Sequence, residues 1–464
     1  MSAPLHRLSV TQLRDGLASR AFSARELVEA YLARIAAHNA RVNGFVTLLG
    51  DEALAQADNA DRRRTAGETL GPLAGIPIGV KDSLPTAGIR TTANSRVLEH
   101  WVPDHDAAAV RRLRDAGAIL LGKTNLNEFG WALPSDRDLT PKALNPWNPD
   151  YAAIGSSSGS GIVVAAGFVA AAVGTDGGGS ARLPAGQNNL VSIKPTHGLV
   201  SRMGMDDSWI SDIAPMARTV TDTALMLSIM AGRDEDDWQS WPLPVPDYAE
   251  QLDIDVKGWR IGVPRRLIET AGMEAEVTEA FDASLDALRK LGVELVDIDI
   301  PGLTEARMAN FVMLNGQTHA EHAVSLVRHP KRYGHSARVY HWMGAFLTAK
   351  DLLNARAVAL RAQGSVQETF RDIRAFVTPT SPVVTAEAAR RPGAHRKGSN
   401  AVFTSPFNAT GHPAINVPSG FSASTGLPIG LQLVGPLHDE SSLFQLAYAL
   451  EREANWTSYQ PPLD

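Results

Sequence analysis

Three stretches of the chain carry polar residues of the kinds that nucleophilic catalysis uses. Lys81 ends the apolar run of "GIPIGVKDS" (75–83), and two Gly/Ser-rich stretches follow, "GSSSGSG" (155–161) and "GTDGGGSARLPA" (174–185). A lysine held away from water has a lowered pKa, so its neutral amine can act as a general base. A lysine at a strand end can also simply extend its amine toward water. Because the chain contains no cysteine, a covalent step needs an oxygen or nitrogen nucleophile.

The glycines before Ser180 suggest an oxyanion hole. Without side chains in the way, successive backbone N–H groups can converge on one point, as stabilisation of an oxyanion requires. The expected donors are the N–H groups of Gly177, Gly178, Gly179 and Ser180. A glycine turn chosen only for conformational freedom has the same composition. The functional interpretation makes Ser180 a nucleophile beside its own hydrogen-bond donors.

The first Gly/Ser stretch precedes an apolar segment, "GIVVAAGFVA" (161–170), that is typical of a buried helix. The N–H groups and the dipole at a helix N-terminus favour partial negative charge on a nearby oxygen. N-capping accounts for one serine, whereas three adjacent serines occur here. Either Ser156 or Ser157 is therefore a candidate for relaying a proton.

Helix-type and strand-type segments alternate around these stretches. For example, "DAAAVRRLRDAG" precedes "AILLG", and "VTEAFDASLDALRKLG" precedes "VELVDIDI". Ser23 and Glu26 have capping-box spacing at the start of an amphipathic helix. The alternation predicts an α/β fold with a large mixed, mostly parallel twisted sheet surrounded by helices.

Composition excludes several classes of function. The 44 Lys and Arg residues against 50 Asp and Glu give a net charge of −6, so a nucleic-acid partner is not expected. No segment approaches the roughly 20 apolar residues of a membrane span, and the N-terminus lacks the apolar region of a signal peptide. We expect a cytoplasmic protein without a membrane partner.

Two further patterns favour ordinary structural roles. "GAILLGKT" (117–124) matches a phosphate-binding pattern, but its first half is apolar and strand-like and follows a helix end. Of the clustered histidines, only His319 and His322 have helix-face spacing, and no further ligand lies at an evident spacing. We expect neither a metal nor a cofactor.

The three stretches that contain Lys81, Ser156 and Ser180, taken in order, resemble the amidase signature family. The other similar segments are "GKTNLNEFG" (122–130), "NPWNPD" (145–150), "SIKPTHGLVS" (192–201), "PMARTVTDTA" (215–224), "PFNATGHPAINVPSGF" (406–421) and "GLPIGLQLVGP" (426–436). The resemblance spans most of the chain. It implies one amidase domain over 1–464, with a catalytic core at 71–225 and a variable, substrate-side region at 235–400.

The resemblance implies a Ser-cisSer-Lys triad. The family's bridging serine lies twenty-four positions before the nucleophile, which makes Ser156 the relay, Ser180 the nucleophile and Lys81 the base. A cis peptide bond before Ser156 is implied in the same way. The residues expected to surround and support the triad without reacting themselves are Ser157, Asp176 and Arg182.

The expected activity is hydrolysis of the C–N bond of a small amide, anilide or carbamate through an acyl-enzyme, by a monomer or homodimer. One alternative is an amidotransferase component that acts on glutamine within a multi-chain complex. Another is a catalytically silent binding scaffold, which the presence of Lys81, Ser156 and Ser180 disfavours.

Several residues near the motifs depart from the family pattern or suggest a pocket. Polar residues replace a mostly apolar set at Gln187, Asn188 and Asn189, while Ser158 replaces a glycine and Ser211 a common aspartate. These changes suggest more polar surroundings. The residues that fall near the family's pocket walls are Trp131, Met203, Trp209 and Trp342, which is compatible with an aromatic or apolar acyl group.

Overall fold

One sheet of eleven strands forms the centre of the protein. The computed structural model describes residues 4–131, 138–205, 210–384 and 400–463. The strands are β1 (Phe45–Leu48), β2 (Pro77–Lys81), β3 (Ile119–Thr124), β4 (Ala171–Asp176), β5 (Val191–Lys194), β6 (Asp212–Ala217), β7 (Arg260–Val263), β8 (Glu294–Asp297), β9 (Ala375–Pro379), β10 (Ala414–Phe421) and β11 (Pro428–Val434). Their order across the sheet is β1-β3-β2-β4-β6-β5-β10-β11-β9-β7-β8.

Helices alternate with the strands and pack against the sheet. They are α1 (Val10–Ala18), α2 (Ala24–Val42), α3 (Gly50–Thr65), α4 (Ala108–Asp115), α5 (Ser158–Ala165), α6 (Arg182–Gln187), α7 (Val220–Met230), α8 (Arg265–Thr270), α9 (Ala275–Lys290), α10 (Leu303–Arg328), α11 (His335–Met343), α12 (Ala349–Thr369), α13 (Ser405–Thr410) and α14 (Glu440–Ala454). The predicted capping box at the start of α2 is confirmed, since Ser23 and Glu26 bond each other's backbone N–H groups.

Parallel and antiparallel pairing occupy different parts of the sheet. Strand β2 runs parallel to β3 and β4, and β7 runs parallel to β8 and β9. The strands between these groups pair antiparallel, as do β1 and β3. The expected mixed sheet surrounded by helices is confirmed, but antiparallel pairing is more extensive than "mostly parallel" implied. A parallel pair needs a crossover such as α4 between β2 and β3, whereas β10 and β11 need only a short link.

The parallel strands bring the candidate residues to one edge of the sheet. Lys81 ends β2 and Asp176 ends β4, and the register pairs Val80 with Val173. Carboxyl ends of adjacent parallel strands face the same edge, so both residues lie there. Helix α5 packs against both strands, which places its first turn at the same edge.

The apolar core extends over nearly the whole chain. The largest cluster of buried apolar side chains reaches from Val10 to Leu463. One domain over 1–464, with the boundaries at 71–225 and 235–400 inside it, stays a prediction. Within the described ranges, no helix has the length and apolar character that crossing a membrane requires.

The stretch that matches a phosphate-binding pattern is a buried strand. Residues 119–124 form β3, and Gly117 has the positive φ of a residue after a helix end. The buried Nζ of Lys123 donates to Leu84 O and to the hydroxyls of Thr86 and Thr91. Its amine is thus occupied inside the protein, which agrees with the structural interpretation.

Candidate active site

Lys81 and Ser156 are in direct contact at the edge of the sheet. Nζ of Lys81 donates to Oγ of Ser156 and to Oγ1 of Thr175, each at 2.7 Å. Every residue of β2 is buried, so the amine is held away from water. The two hydroxyls fix the position of the amine within the site.

Burial changes the protonation of Lys81. It lowers the pKa of the amine from 10.5 to about 7, although the negative charge of Asp176 acts in the opposite direction. An ammonium loses hydration when it is buried, which destabilises the charged form. A large fraction of the amine is therefore neutral at neutral pH, as a general base requires.

The two adjacent serines have different partners. Oγ of Ser157 donates to Thr175 O at 3.1 Å and accepts from Thr175 N at 3.2 Å, so this side chain bridges to β4. The N–H of Ser157 donates to Ser180 O at 3.0 Å, which ties the two Gly/Ser stretches together. Ser156 instead receives the hydrogen bond from Lys81. The peptide bond between Gly155 and Ser156 is cis, in agreement with the resemblance.

A buried ion pair lies behind the glycine turn. Arg182 Nε donates to Asp176 Oδ2 at 2.9 Å and Nη2 to Oδ1 at 2.8 Å, with both side chains fully buried. Burial by itself raises the pKa of the Asp176 carboxyl, but the charge and hydrogen bonds of Arg182 hold it well below its usual range. Arg182 also donates to Thr404 O, Asn408 Oδ1 and Gln432 Oε1. Two segments distant in sequence thus fix this arginine.

The glycine turn is held at each residue. Asn310 Nδ2 donates to Gly177 O at 3.1 Å, and Thr404 Oγ1 donates to Gly178 O at 2.8 Å. Gly179 has φ +118, and a Cβ there would collide with Thr404 Oγ1. The N–H of Gly179 donates to Asp176 Oδ1 at 2.7 Å. That bond occupies the N–H, so Gly179 drops out of the oxyanion donors expected from the sequence.

A cleft with about 770 Å³ of empty space, which includes open solvent, lies over the turn. Ser156, Thr175, Gly177, Gly178 and Ser180 are among the residues that line it. The apolar lining residues include Phe129, Trp131, Met205 and Leu314. The cleft thus combines hydroxyls and backbone groups of the glycine turn with an apolar wall.

The residues proposed for the pocket wall lie in different places. Trp131 lines the cleft and packs against Phe311 and Tyr340, with ring centroids at 6.1 and 5.8 Å. Trp209 lies outside the described residues. The expectation that Met203 and Trp342 line the pocket is wrong for this cleft. Met203 is 47% exposed and does not line the cleft, where Met205 contributes instead.

Trp342 packs its ring against His319, with the ring centroids 5.6 Å apart, rather than lining the cleft. Which side chain of a loop faces a cleft depends on the local backbone path. Nearness in sequence to a family's pocket segments does not determine that path.

The polar departures from the family pattern are mostly internal. Gln187 Oε1 accepts from Ile154 N at 2.6 Å, Asn188 Nδ2 donates to Pro184 O, and Asn189 Nδ2 donates to Trp456 O. None of these three lines the cleft described above. Each of them binds a backbone group, and none of them changes the polarity of the cleft beside Ser180.

The two serine departures have separate locations. Ser158 is buried at the first position of α5. Ser211 does line the cleft, where its side chain faces the α-carbon of Gly177. Of the five departures, Ser211 is the one that lines this cleft.

Sequence reasoning did not identify Thr175 or Asn310. Thr175 lies inside the "GTDGGGSARLPA" stretch, and a polar side chain two positions before the glycines was an available signal. Asn310 lies on α10, 133 positions from the carbonyl that it bonds, and no local pattern marks it. Long-range contacts of this kind require the tertiary structure.

The chain matches a protein-family model and is similar along nearly its whole length to several known proteins. The Amidase family model matches residues 26–444. A relative from Roseiflexus sp. (strain RS-1), a component of the Glutamyl-tRNA(Gln) amidotransferase, is 38% identical over 99% of both chains. Peptide amidase from Stenotrophomonas maltophilia has a similar structure, with a TM-score of 0.83, 31% identity and 98% of each chain covered. A complex related to the origins of an s-triazine catabolic enzyme contains a chain with a TM-score of 0.89 and 29% identity, covering 96% of this chain and 98% of that one.

Proposed function

Since the chain belongs to the amidase family, we propose that it hydrolyses the C–N bond of a small amide, anilide or carbamate through an acyl-enzyme on Ser180. One observation carries this proposal: the 2.7 Å contact between the buried Lys81 amine and Ser156, in a cleft that Ser180 also lines. A neutral amine, a bridging hydroxyl and a second hydroxyl beside backbone donors are the parts that acyl transfer needs.

In the proposed reaction, protons move from Ser180 toward Lys81 through Ser156, and one is later returned to the leaving nitrogen. Neutral Lys81 takes the proton of Ser156, which takes the proton of Ser180, whose oxygen attacks the carbonyl carbon. The N–H groups of Gly177, Gly178 and Ser180 stabilise the oxyanion, and loss of one such donor typically raises the barrier by about 3 kcal/mol. Ser156 and Lys81 then return the proton to the leaving nitrogen. Water, activated by the same pair, attacks the ester and releases the acid.

Labelling with a fluorophosphonate tests the nucleophile. We expect mass spectrometry to find the label on Ser180 and labelling to disappear in Ser180→Ala. Ser211→Ala is a matched control because Ser211 lines the same cleft, and it should keep the label on Ser180. A label on another residue of the wild-type protein contradicts the assignment, and complete absence of labelling favours a silent scaffold.

A screen of substrate classes tests the reaction. Aliphatic amides, anilides, ureas and carbamates should be compared for release of the amine, with Ser180→Ala as the blank. We expect hydrolysis in at least one class. A monomeric or homodimeric state and a cytoplasmic location stay predictions that need separate measurements.

A second candidate function is that of an amidotransferase component. The 38% identity over nearly full length to a component of the Glutamyl-tRNA(Gln) amidotransferase favours it. In that role the same Ser180 chemistry would release ammonia from glutamine, and partner chains would be required. Ammonia release from glutamine that depends on co-purified partner chains would support this role. Hydrolysis of simple amides by the isolated chain, with no activity on glutamine, would count against it.

A further inference from the structure

Helix α12 has small or apolar side chains on two opposite faces. Its inner face packs against α10 and α13. The buried residues of that face are Ala355, Ala359, Ala362 and Val366. A second set of small and apolar residues recurs at i, i+4, i+7 and i+11, and at 3.6 residues per turn it lies on the opposite side of the helix. This outer stripe consists of Leu353, Ala357, Leu360 and Gly364.

The outer stripe is open to solvent. Leu353 is 68% exposed and Leu360 is 57% exposed. Ala357 is partly exposed, and Gly364 is exposed. The solvent face of a helix normally carries polar side chains, whereas a helix that is apolar on all sides is normally covered. The outer stripe therefore has the character of a surface that another molecule covers.

Gly364 gives independent support for this interpretation. It lies inside α12, where glycine destabilises a helix relative to alanine. Glycine is useful inside a helix where another group approaches the backbone closely. A Cβ at position 364 would meet no described atom within 4 Å. The space beside Gly364 is therefore available to a side chain of another molecule.

The order of large and small residues makes the outer stripe complementary to itself. Consider two antiparallel copies of α12 related by a twofold axis midway between Ala357 and Leu360. Leu353 of each copy then meets Gly364 of the other, and Ala357 meets Leu360, because the members of each pair are equally distant from the axis. A large side chain thus meets a small residue at every position, which allows the usual helix separation of about 8–10 Å. Reciprocal pairing of this kind is what an isologous interface requires.

The charges beside the outer stripe show the same reciprocity. Lys350 and Glu368 are exposed and lie on one flank of the stripe, about five turns apart. In the antiparallel pair, Lys350 of each copy lies beside Glu368 of the other. Glu368 also forms an exposed ion pair with Arg371 of its own chain at 2.6 Å. Parallel helices would instead place Lys350 against Lys350, so the charges favour the antiparallel arrangement.

We propose that the outer stripe of α12 is a homodimer interface, on which a second copy of this chain packs antiparallel across a twofold axis between Ala357 and Leu360. Ion pairs between Lys350 and Glu368 flank both ends of the interface. One helix from each copy gives a small contact area, so the dimer forms reversibly and depends on concentration. The inference goes beyond the reaction at Ser180, because no described residue that lines the cleft belongs to α12.

Sedimentation velocity of the full chain, from about 1 to 300 µM, tests the dimer. We expect a species of twice the chain mass to increase with concentration and to dissociate on dilution. Leu360→Glu places a charge against Ala357 of the other copy and should weaken association by at least about 30-fold. Val327→Glu is the matched control and should leave association unchanged. Val327 is 67% exposed but lies on α10, eleven positions beyond Gly316, which faces α12.

Exchange of the flanking charges tests the pairing of Lys350 with Glu368. Either Lys350→Glu or Glu368→Lys alone brings like charges together at both ends of the interface. Each should weaken association about three- to tenfold, because the pairs are exposed. The double variant restores opposite charges and should recover the wild-type association.

Cross-linking tests the antiparallel orientation. The chain contains no cysteine, so introduced cysteines react specifically. Lys350→Cys mixed with Glu368→Cys should be joined by a short bismaleimide. Neither variant should cross-link to itself, because identical residues lie about 25–29 Å apart along the antiparallel axes.

Several results would overturn the inference. A monomer at every concentration would mean that a different molecule covers the outer stripe, or none. Association that survives Leu360→Glu, or cross-linking of each cysteine variant to itself, would place the interface elsewhere or make it parallel. If circular dichroism shows that Leu360→Glu does not fold, the exchange of charges and the cross-linking decide, since their substitutions are at exposed positions.

Discussion

The pH dependence of activity tests the central assignment, Lys81 as the general base. Burial lowers the pKa of the amine to about 7, and only the neutral amine can accept the proton of Ser156. We expect log kcat/KM to rise with a slope of about one per pH unit below pH 7 and to level off above it. The rate constant rises with pH because Lys81 must lose a proton before it can act as a base.

The size of the effect follows from the change in pKa. With the ordinary lysine value of 10.5, about one molecule in three thousand would have a neutral amine at pH 7. With a pKa of about 7, about half of the molecules have it. Burial in β2 thus raises the active fraction by about three orders of magnitude. Lys81→Met should lower kcat/KM by about 10²–10⁴, the usual contribution of a general base.

Glu128 provides the necessary control because burial raises the pKa of its carboxyl to about 7, in the same range. Its oxygens accept from Ser95 Oγ at 2.6 Å and Gly334 N at 2.9 Å, beside cleft residue Phe129. Glu128→Gln should keep the inflection near pH 7. The assay is initial-rate hydrolysis of the best substrate from the screen, with thermal unfolding at each pH to separate inactivation from titration. Loss of the inflection in Glu128→Gln, or a flat wild-type profile, refutes the assignment to Lys81.

Three further predictions concern the surroundings of the base. Ser156→Ala should lower kcat by about 10²–10⁴ with an unchanged circular dichroism spectrum, and near-normal turnover rejects the relay. Arg182→Met leaves the Asp176 charge buried without its partner, so denaturant unfolding should show a loss of about 3–5 kcal/mol; an unchanged midpoint contradicts the ion pair. Gly179→Ala forces a strained φ and a collision with Thr404, so it should lose about 1–3 kcal/mol of stability. In Gly178→Ala the added Cβ makes ordinary contacts, and an equal loss there would contradict this explanation.

Local patterns in the sequence determined much of the scaffold. Capping-box spacing at Ser23 and Glu26 located the start of α2, and the strand-type segment "AILLG" (118–122) falls at the start of β3. Such features depend on neighbouring residues, so they can be predicted from the sequence. The mixed sheet followed from the alternation of helices and strands. The extent of antiparallel pairing did not, because strand order depends on contacts between distant segments.

Identifying the residues of the candidate site required both the sequence and the tertiary structure. Residue types and their order pointed to Lys81 and Ser180, but physical reasoning from the sequence alone left Ser156 and Ser157 equivalent. The structure distinguishes them, since Ser156 contacts Lys81 and Ser157 bridges to Thr175. Adjacent side chains can point in different directions, and the backbone path decides which one meets a lysine 75 positions away.

Tertiary structure alone decided what surrounds these residues. It occupied the N–H of Gly179 with Asp176 and placed Met205 rather than Met203 in the cleft. Composition and spacing determined that the chain has a base, hydroxyls and a flexible glycine turn. Their hydrogen-bond partners and pKa values depend on burial and on segments far away in sequence, which exist only once the chain has folded.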